Sequence, residues 1–151
     1  MEFMKAERRK AKLRLGITVP AGSGKTYGAL LVAFGICGKI AMIDTENGRR
    51  ELYSTLGEYD VVTIGAPYTV QKYLHAIHDA ESSCYDVQIN DSLSQAWNGD
   101  GGLLYMHVRI ADQTRKNSFA ACRQVTPLHK KLVEAILASP CHVIATMRSQ
   151  T

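Results

Sequence analysis

Long apolar runs are missing from this chain. The longest is Ala29–Leu30–Leu31–Val32–Ala33–Phe34, ended by Gly35. A membrane helix needs about 20 such residues, so no span and no membrane partner are expected. No secretory signal is visible: the basic start runs into Leu13–Arg14–Leu15–Gly16, without an apolar stretch and cleavage site. The four cysteines, Cys37, Cys84, Cys122 and Cys141, form no CxxC pair, which argues against a zinc site or a redox dithiol. Free, mostly buried thiols in a reducing, cytoplasmic setting are expected. Repeats and low-complexity segments are absent as well.

What is present is ordinary globular material. The 151 residues are 46% hydrophobic and 21% charged, enough for one packed domain. The net charge of +4 is unevenly placed. Residues 1–14 hold Lys5, Arg8, Arg9, Lys10, Lys12 and Arg14 against Glu2 and Glu7, and the remainder is neutral. A basic leader over 1–13, solvated and helix-prone, is expected to precede a domain over 14–151. Such a leader can also touch nucleic acid.

Strand and helix signals alternate. Strands are expected at 14–19, 39–43, 61–64, 86–90 and 141–146. Helices are expected at 25–37, 70–82, 102–112 and 126–138. The first helix is apolar almost all round and should be deeply buried, with Gly38 as its stop. Thr69 should cap the second, and Thr126 the last, with Pro127 at its first position. The pattern predicts a parallel α/β sheet of about five strands with helices on both faces. The chain stops about five residues past the last predicted strand, which suggests a C-terminal truncation.

Between the first strand and helix lies Pro20–Ala21–Gly22–Ser23–Gly24–Lys25–Thr26–Tyr27. This resembles the P-loop, G-x-x-x-x-G-K-[ST]. Small residues let successive N–H groups turn around phosphate oxygens, and the helix N-terminus favours the anion. Lys25 would reach the β- and γ-phosphates, and Thr26 would ligate Mg²⁺. Asp91, at the end of the fourth strand, is placed to hold the same Mg²⁺. The first glycine of the pattern is replaced by Val19, so a strained or displaced loop is expected. Gln88 and Asn90 are polar in what should be an apolar central strand, and each amide needs a buried partner.

The segment Met42–Ile43–Asp44–Thr45–Glu46–Asn47–Gly48 adds a second resemblance. Together with the loop, Ala66–Pro67–Tyr68–Thr69–Val70, Asp91–Ser92–Leu93–Ser94, the Pro127–Leu128–His129 helix and His142–Arg148, it is similar to RecA-like ATPases. The nearest likeness is to small phage nucleotide-binding proteins found beside recombination and single-strand-annealing genes. The resemblance implies that Glu46 activates the attacking water, Tyr53 stacks on adenine and Thr146 senses the γ-phosphate. It implies ATP and Mg²⁺ as cofactors, a homo-oligomer with a finger residue from a neighbour, phage recombination partners and a bacterial host cytoplasm. It also implies single-stranded DNA contacts, here at Arg115, Lys116 and Arg123 near Phe119, and at Arg148. Basic groups beside an aromatic suit that ligand.

Two other functions compete. A small-molecule kinase shares the P-loop and would use Arg109, Arg115 and Arg123 as a lid. A degenerate nucleotide binder would explain Val19, Gln88 and Asn90. His75 and His78 are expected to be surface histidines and Trp97 a packing residue.

Overall fold

The computed structural model describes residues 1–7, 10–20, 22–46, 50–115 and 117–149, with the side chains of 50–52 excepted. Five strands form one sheet: β1 (Arg14–Val19), β2 (Ile40–Asp44), β3 (Asp60–Thr63), β4 (Val87–Asp91) and β5 (His142–Arg148). Every pairing is parallel and the order is β1-β5-β4-β2-β3. The last strand is therefore inserted between the strand that enters the glycine-rich loop and the strand that ends at Asp91. That order decides the site, because it sets the end of β5 beside both.

Helices cover both faces, as a parallel sheet requires. On one face α1 (Lys25–Ile36) packs Ala29, Leu30 and Ala33 against Met42, Val87, Ile89 and Ile144. On the other face α2 (Val70–Ser82) and α5 (Ser118–Ala138) bury Tyr73, Ile77, Val125 and Leu132 with Ile43 and Ile64. Two further helices, α3 (Ser94–Asn98) and α4 (Leu103–Gln113), follow β4. A 3₁₀ helix spans Arg50–Leu56. Among the described residues no helix is long and apolar enough to cross a membrane.

Thr69 caps α2 as expected, its Oγ1 accepting from the Lys72 N–H at 3.3 Å. Three other expectations are corrected. First, α5 does not begin at Thr126–Pro127. It starts at Ser118, where Asn117 Oδ1 caps the Ala120 N–H at 3.2 Å, and Pro127 lies inside it. Proline removes one helical N–H. Pro127 and Arg123 are exposed, so the carbonyl left over faces solvent, where water can satisfy it.

Second, α1 is buried on one side only, with Tyr27 and Leu31 about half exposed. It lies on one sheet face, and its outer side stays half open, with Tyr53 beside Tyr27. Third, the thiols are free but mostly exposed. Only Cys141 is buried. Cys37 and Cys84 have positive φ just after α1 and α2, and Cys122 of α5 is exposed with its Sγ 3.4 Å from His107 Nε2 of α4.

The described residues of 1–13 carry no regular structure. Leu13 nonetheless joins the sheet, its carbonyl accepting from the Val143 N–H at 2.9 Å. Arg14 donates to the carbonyls of Cys141, at 2.6 Å, and Ser139. It also donates to the Leu137 carbonyl at 3.3 Å, in the last turn of α5, where carbonyls have no helical partner.

Candidate active site

The glycine-rich loop needs backbone that other residues resist. Gly22 and Gly24 have φ of 79° and 78°, the left-handed region in which a Cβ is strained. A Cβ at either would meet nothing within 4 Å, so conformation rather than space demands glycine. The Ser23 N–H donates to the Pro20 carbonyl at 3.3 Å, closing the turn, and Gly24 stands immediately before α1. Lys25 and Thr26 follow in the first turn of α1, both buried. Ala21, assigned to this loop on sequence, lies outside the described residues.

Val19 does not strain the loop. It is the last residue of β1, paired with Arg148, and its φ is not positive. Extended backbone is what a β-branched residue prefers, so the expectation of strain is withdrawn.

At the carboxyl edge of the sheet, Asp91 joins residues from three elements. Its Oδ2 accepts from Thr26 Oγ1 of α1 at 2.6 Å. Its Oδ1 accepts from Thr146 Oγ1 of β5 at 2.7 Å. All three side chains are buried. The expected Mg²⁺ pair and the expected sensor thus share one carboxylate. Hard oxygen donors suit Mg²⁺, which takes few protein ligands and keeps several waters. Thr26 and Asp91 fit it.

Glu46 reaches the same edge from β2. Its side chain is 4% exposed, and its Oε1 lies 3.9 Å from Lys25 Nζ. Its Oε2 accepts directly from Arg148 Nη2. The Glu46 N–H donates to Asp44 Oδ1 at 2.8 Å, which fixes the turn leaving β2.

Several positioning groups were not found by sequence reasoning. The Thr45 N–H donates to the Asp91 carbonyl at 2.8 Å, and Thr45 Oγ1 accepts from the Ser92 N–H at 3.0 Å. Tyr73, fully buried in α2, donates its hydroxyl to the Ser92 carbonyl at 2.8 Å. Burial pushes that hydroxyl well above the ordinary phenol range, so it remains a donor. The Asp91–Ser92 peptide held by these contacts is cis. The available signal is the polar pair Asp44–Thr45 at the end of an apolar strand.

The adenine candidate Tyr53 lies in the 3₁₀ helix, its ring 6.3 Å from that of Tyr27 and tilted by 45°. Gly57, just beyond, is required by space: a Cβ there would come within 2.6 Å of the Phe34 ring.

The DNA candidates separate. Arg115, Phe119 and Arg123 are exposed about the α4–α5 turn, and Lys116 lies outside the described residues. Arg148 is not with them, because it is held on Glu46. Asn47 and Gly48 of the second motif are also outside the described residues. His75 and His78 are exposed, paired with Asp79 and Glu81. Trp97 is only half buried, edge-on to His129 at 5.5 Å, in the wall of a cavity of about 590 Å³ between α3, α5 and β5.

The two buried amides donate within the core, but among the described residues Asn90 Oδ1 has no hydrogen-bond partner. Gln88 Nε2 donates to Ser139 Oγ at 2.9 Å, and Asn90 Nδ2 donates to Gln88 Oε1 at 3.4 Å.

A protein-family model described as an AAA domain matches residues 11–151. No curated protein matches the chain.

Proposed function

The chain belongs to the AAA domain family, a class of nucleotide-binding ATPases, and on that premise we propose a Mg²⁺-dependent ATPase of phage DNA recombination. It would act in a bacterial host's cytoplasm as a homo-oligomer that couples hydrolysis to single-stranded DNA. The observation that carries the catalytic part is the shared carboxylate of Asp91, bonded at once to Thr26 and Thr146. P-loop hydroxyl, strand-end acid and neighbouring strand hydroxyl meet within one hydrogen-bond set.

The roles follow from placement. The loop amides of Gly22, Ser23 and Gly24, with Lys25, bind the β- and γ-phosphates at the α1 N-terminus, and Pro20 and Ala21 lead the chain into that loop. Thr26 and Asp91 hold Mg²⁺, which when bound neutralises charge developing on the phosphate oxygens. Glu46 takes a proton from the attacking water. Thr146, held on Asp91, registers the terminal phosphate. Tyr53 and Tyr27 flank the base.

The carboxylate at the phosphate end serves hydrolysis by taking a proton from water and would serve an acceptor hydroxyl equally, so hydrolysis is preferred to a kinase on the AAA domain match. Val19 is extended and Gln88 finds an internal partner, which speaks against a degenerate binder, while Asn90 Oδ1 stays without a hydrogen-bond partner among the described residues. The DNA role rests on the sequence resemblance and on exposed Arg115, Phe119 and Arg123.

The test is phosphate release from Mg²⁺-ATP, with and without single-stranded DNA, by the chain and by Glu46→Gln. Hydrolysis should fall by about 10²-fold or more in the variant with nucleotide affinity kept. Unchanged hydrolysis would remove Glu46 from the mechanism. No release by the parent chain would leave only the nucleotide-binding role.

A further inference from the structure

Resting on the ATPase reading above, we propose that Arg148 is a catalytic residue acting in cis: it exchanges the Glu46 carboxylate for the terminal phosphate. Glu46 has two cations, Lys25 at 3.9 Å and Arg148 in direct contact. The nearby carboxylate of Asp91 is already committed to two hydroxyls. The P-loop delivers the terminal phosphate beside Lys25, within reach of the same cluster of charges, where a guanidinium can pair with it in place of Glu46.

Arg148 is built for such an exchange. Its backbone is fixed: its N–H donates to Ser94 Oγ at 2.9 Å, and it pairs with Val19, the residue that leads into the loop. The next N–H, of Ser149, donates to the Val19 carbonyl at 3.0 Å. Its side chain is 42% exposed, whereas those of Lys25 and Glu46 are almost fully buried. The base of the side chain is therefore held at the loop while the guanidinium keeps room to turn. A guanidinium also matches a phosphate in bidentate geometry.

The exchange serves the chemistry. In hydrolysis the water oxygen bonds to the terminal phosphorus, and the phosphorus–oxygen bond to ADP breaks with its electron pair leaving on ADP. One water proton passes to Glu46 and then to solvent, giving ADP and inorganic phosphate. Among the described residues Glu46 Oε1 has no hydrogen-bond partner and can take that proton, while Oε2 is held by the guanidinium. Moving Arg148 to the phosphate frees Oε2 as well and places positive charge where negative charge is shared in the transition state. The cation expected from a neighbouring subunit is then supplied by the chain itself.

The test compares Mg²⁺-ADP with a non-hydrolysable Mg²⁺-ATP analogue on the whole chain, for Arg148→Ala, Arg148→Lys and Glu46→Ala. In Arg148→Ala the analogue should bind about tenfold or more weakly, with ADP affinity within about twofold, since only the terminal phosphate loses a charge-assisted bond. Unchanged ADP affinity also reports that the variant is folded. Arg148→Lys should recover part of the loss. Glu46→Ala, which removes the competing carboxylate, should raise the preference for the analogue, and this gain should vanish when Arg148 is also Ala.

Hydrolysis by Arg148→Ala should fall by about 10³-fold. Equal losses for both nucleotides, or none, would overturn the proposal. Faster hydrolysis would make Arg148 only a restraint on Glu46. Weaker single-stranded DNA binding with the analogue preference intact would make it a nucleic-acid contact. If the parent chain does not hydrolyse ATP, the ATPase reading fails, while the analogue-against-ADP comparison still decides Arg148.

Discussion

Thr26 Oγ1 donates to Asp91 Oδ2 at 2.6 Å across 65 residues of chain, so the start of α1 and the end of β4 are tied by a single buried bond. The same carboxylate takes the Thr146 hydroxyl at 2.7 Å. Replacing Asp91 by Ala leaves two buried hydroxyls without their acceptor, which costs about 1–3 kcal/mol. Urea unfolding in the absence of nucleotide and magnesium reads that loss. Asp91→Asn keeps the shape and removes the charge. It should raise the Mg²⁺ concentration for half-maximal nucleotide binding by about 10- to 100-fold. An unchanged magnesium requirement would take Asp91 out of the metal site.

Tyr73 makes a prediction with a pH sign. Its hydroxyl donates to the Ser92 carbonyl at 2.8 Å in a fully buried position, so Tyr73→Phe should lose about 1 kcal/mol at neutral pH. Burial raises the folded-state ionisation of this hydroxyl above that of the unfolded chain. The folded state therefore keeps a proton that the unfolded state gives up above about pH 10. Wild-type stability falls with pH there, and the phenylalanine variant lacks this slope. The gap between the two should be constant below about pH 9 and narrow above pH 10. Denaturant midpoints across that range check it, and a gap that stays constant throughout would mean that the hydroxyl is not desolvated.

The alternating architecture was legible because β2 and β4 are buried at every residue and so read as strands bounded by turns. The loop was legible because Gly22, Gly24, Lys25 and Thr26 are adjacent in sequence. The strand order was not, since pairing of β5 between β1 and β4 is a contact between distant segments. For the same reason the Arg148–Glu46 pair, 102 residues apart, left no local mark. The start of α5 was misplaced because Thr126–Pro127 is a good cap by local rules. It was overridden by Ala121, Val125 and Leu132, which carry one buried face through the proline. The 3₁₀ helix at Arg50–Leu56 and the short α3 lack the length for periodicity to register.

Val19 departs from the loop pattern without a penalty. Because it ends β1 in extended backbone opposite Arg148, Val19→Gly should bring no gain in nucleotide affinity. It should lower stability by about 0.5–1 kcal/mol, the usual cost of glycine in a strand. Nucleotide titration and thermal unfolding of the variant separate the two effects. A rise in affinity would show that the valine does restrain the loop.

Gln88 and Asn90 pose the opposite problem, polar groups in the strand next to β2 and β5. Val87 and Ile89 point to the α1 side, so the amides alternate to the α2–α5 side. There Asn90 leans on Gln88, and Gln88 on Ser139, at the turn from α5 into β5. Ser139 Oγ also accepts the Cys141 N–H at 3.3 Å. The chain of amides therefore anchors the connection that delivers β5, and with it Thr146, to the site. Ser139→Ala should cost about 1–3 kcal/mol, because it strands the Gln88 amide in the core. Gln88→Leu removes the stranded group, so the two losses should not add, and the coupling should exceed about 0.5 kcal/mol. A double-mutant cycle by urea unfolding measures it. Strictly additive losses would mean that Gln88 and Ser139 are neighbours without a shared bond.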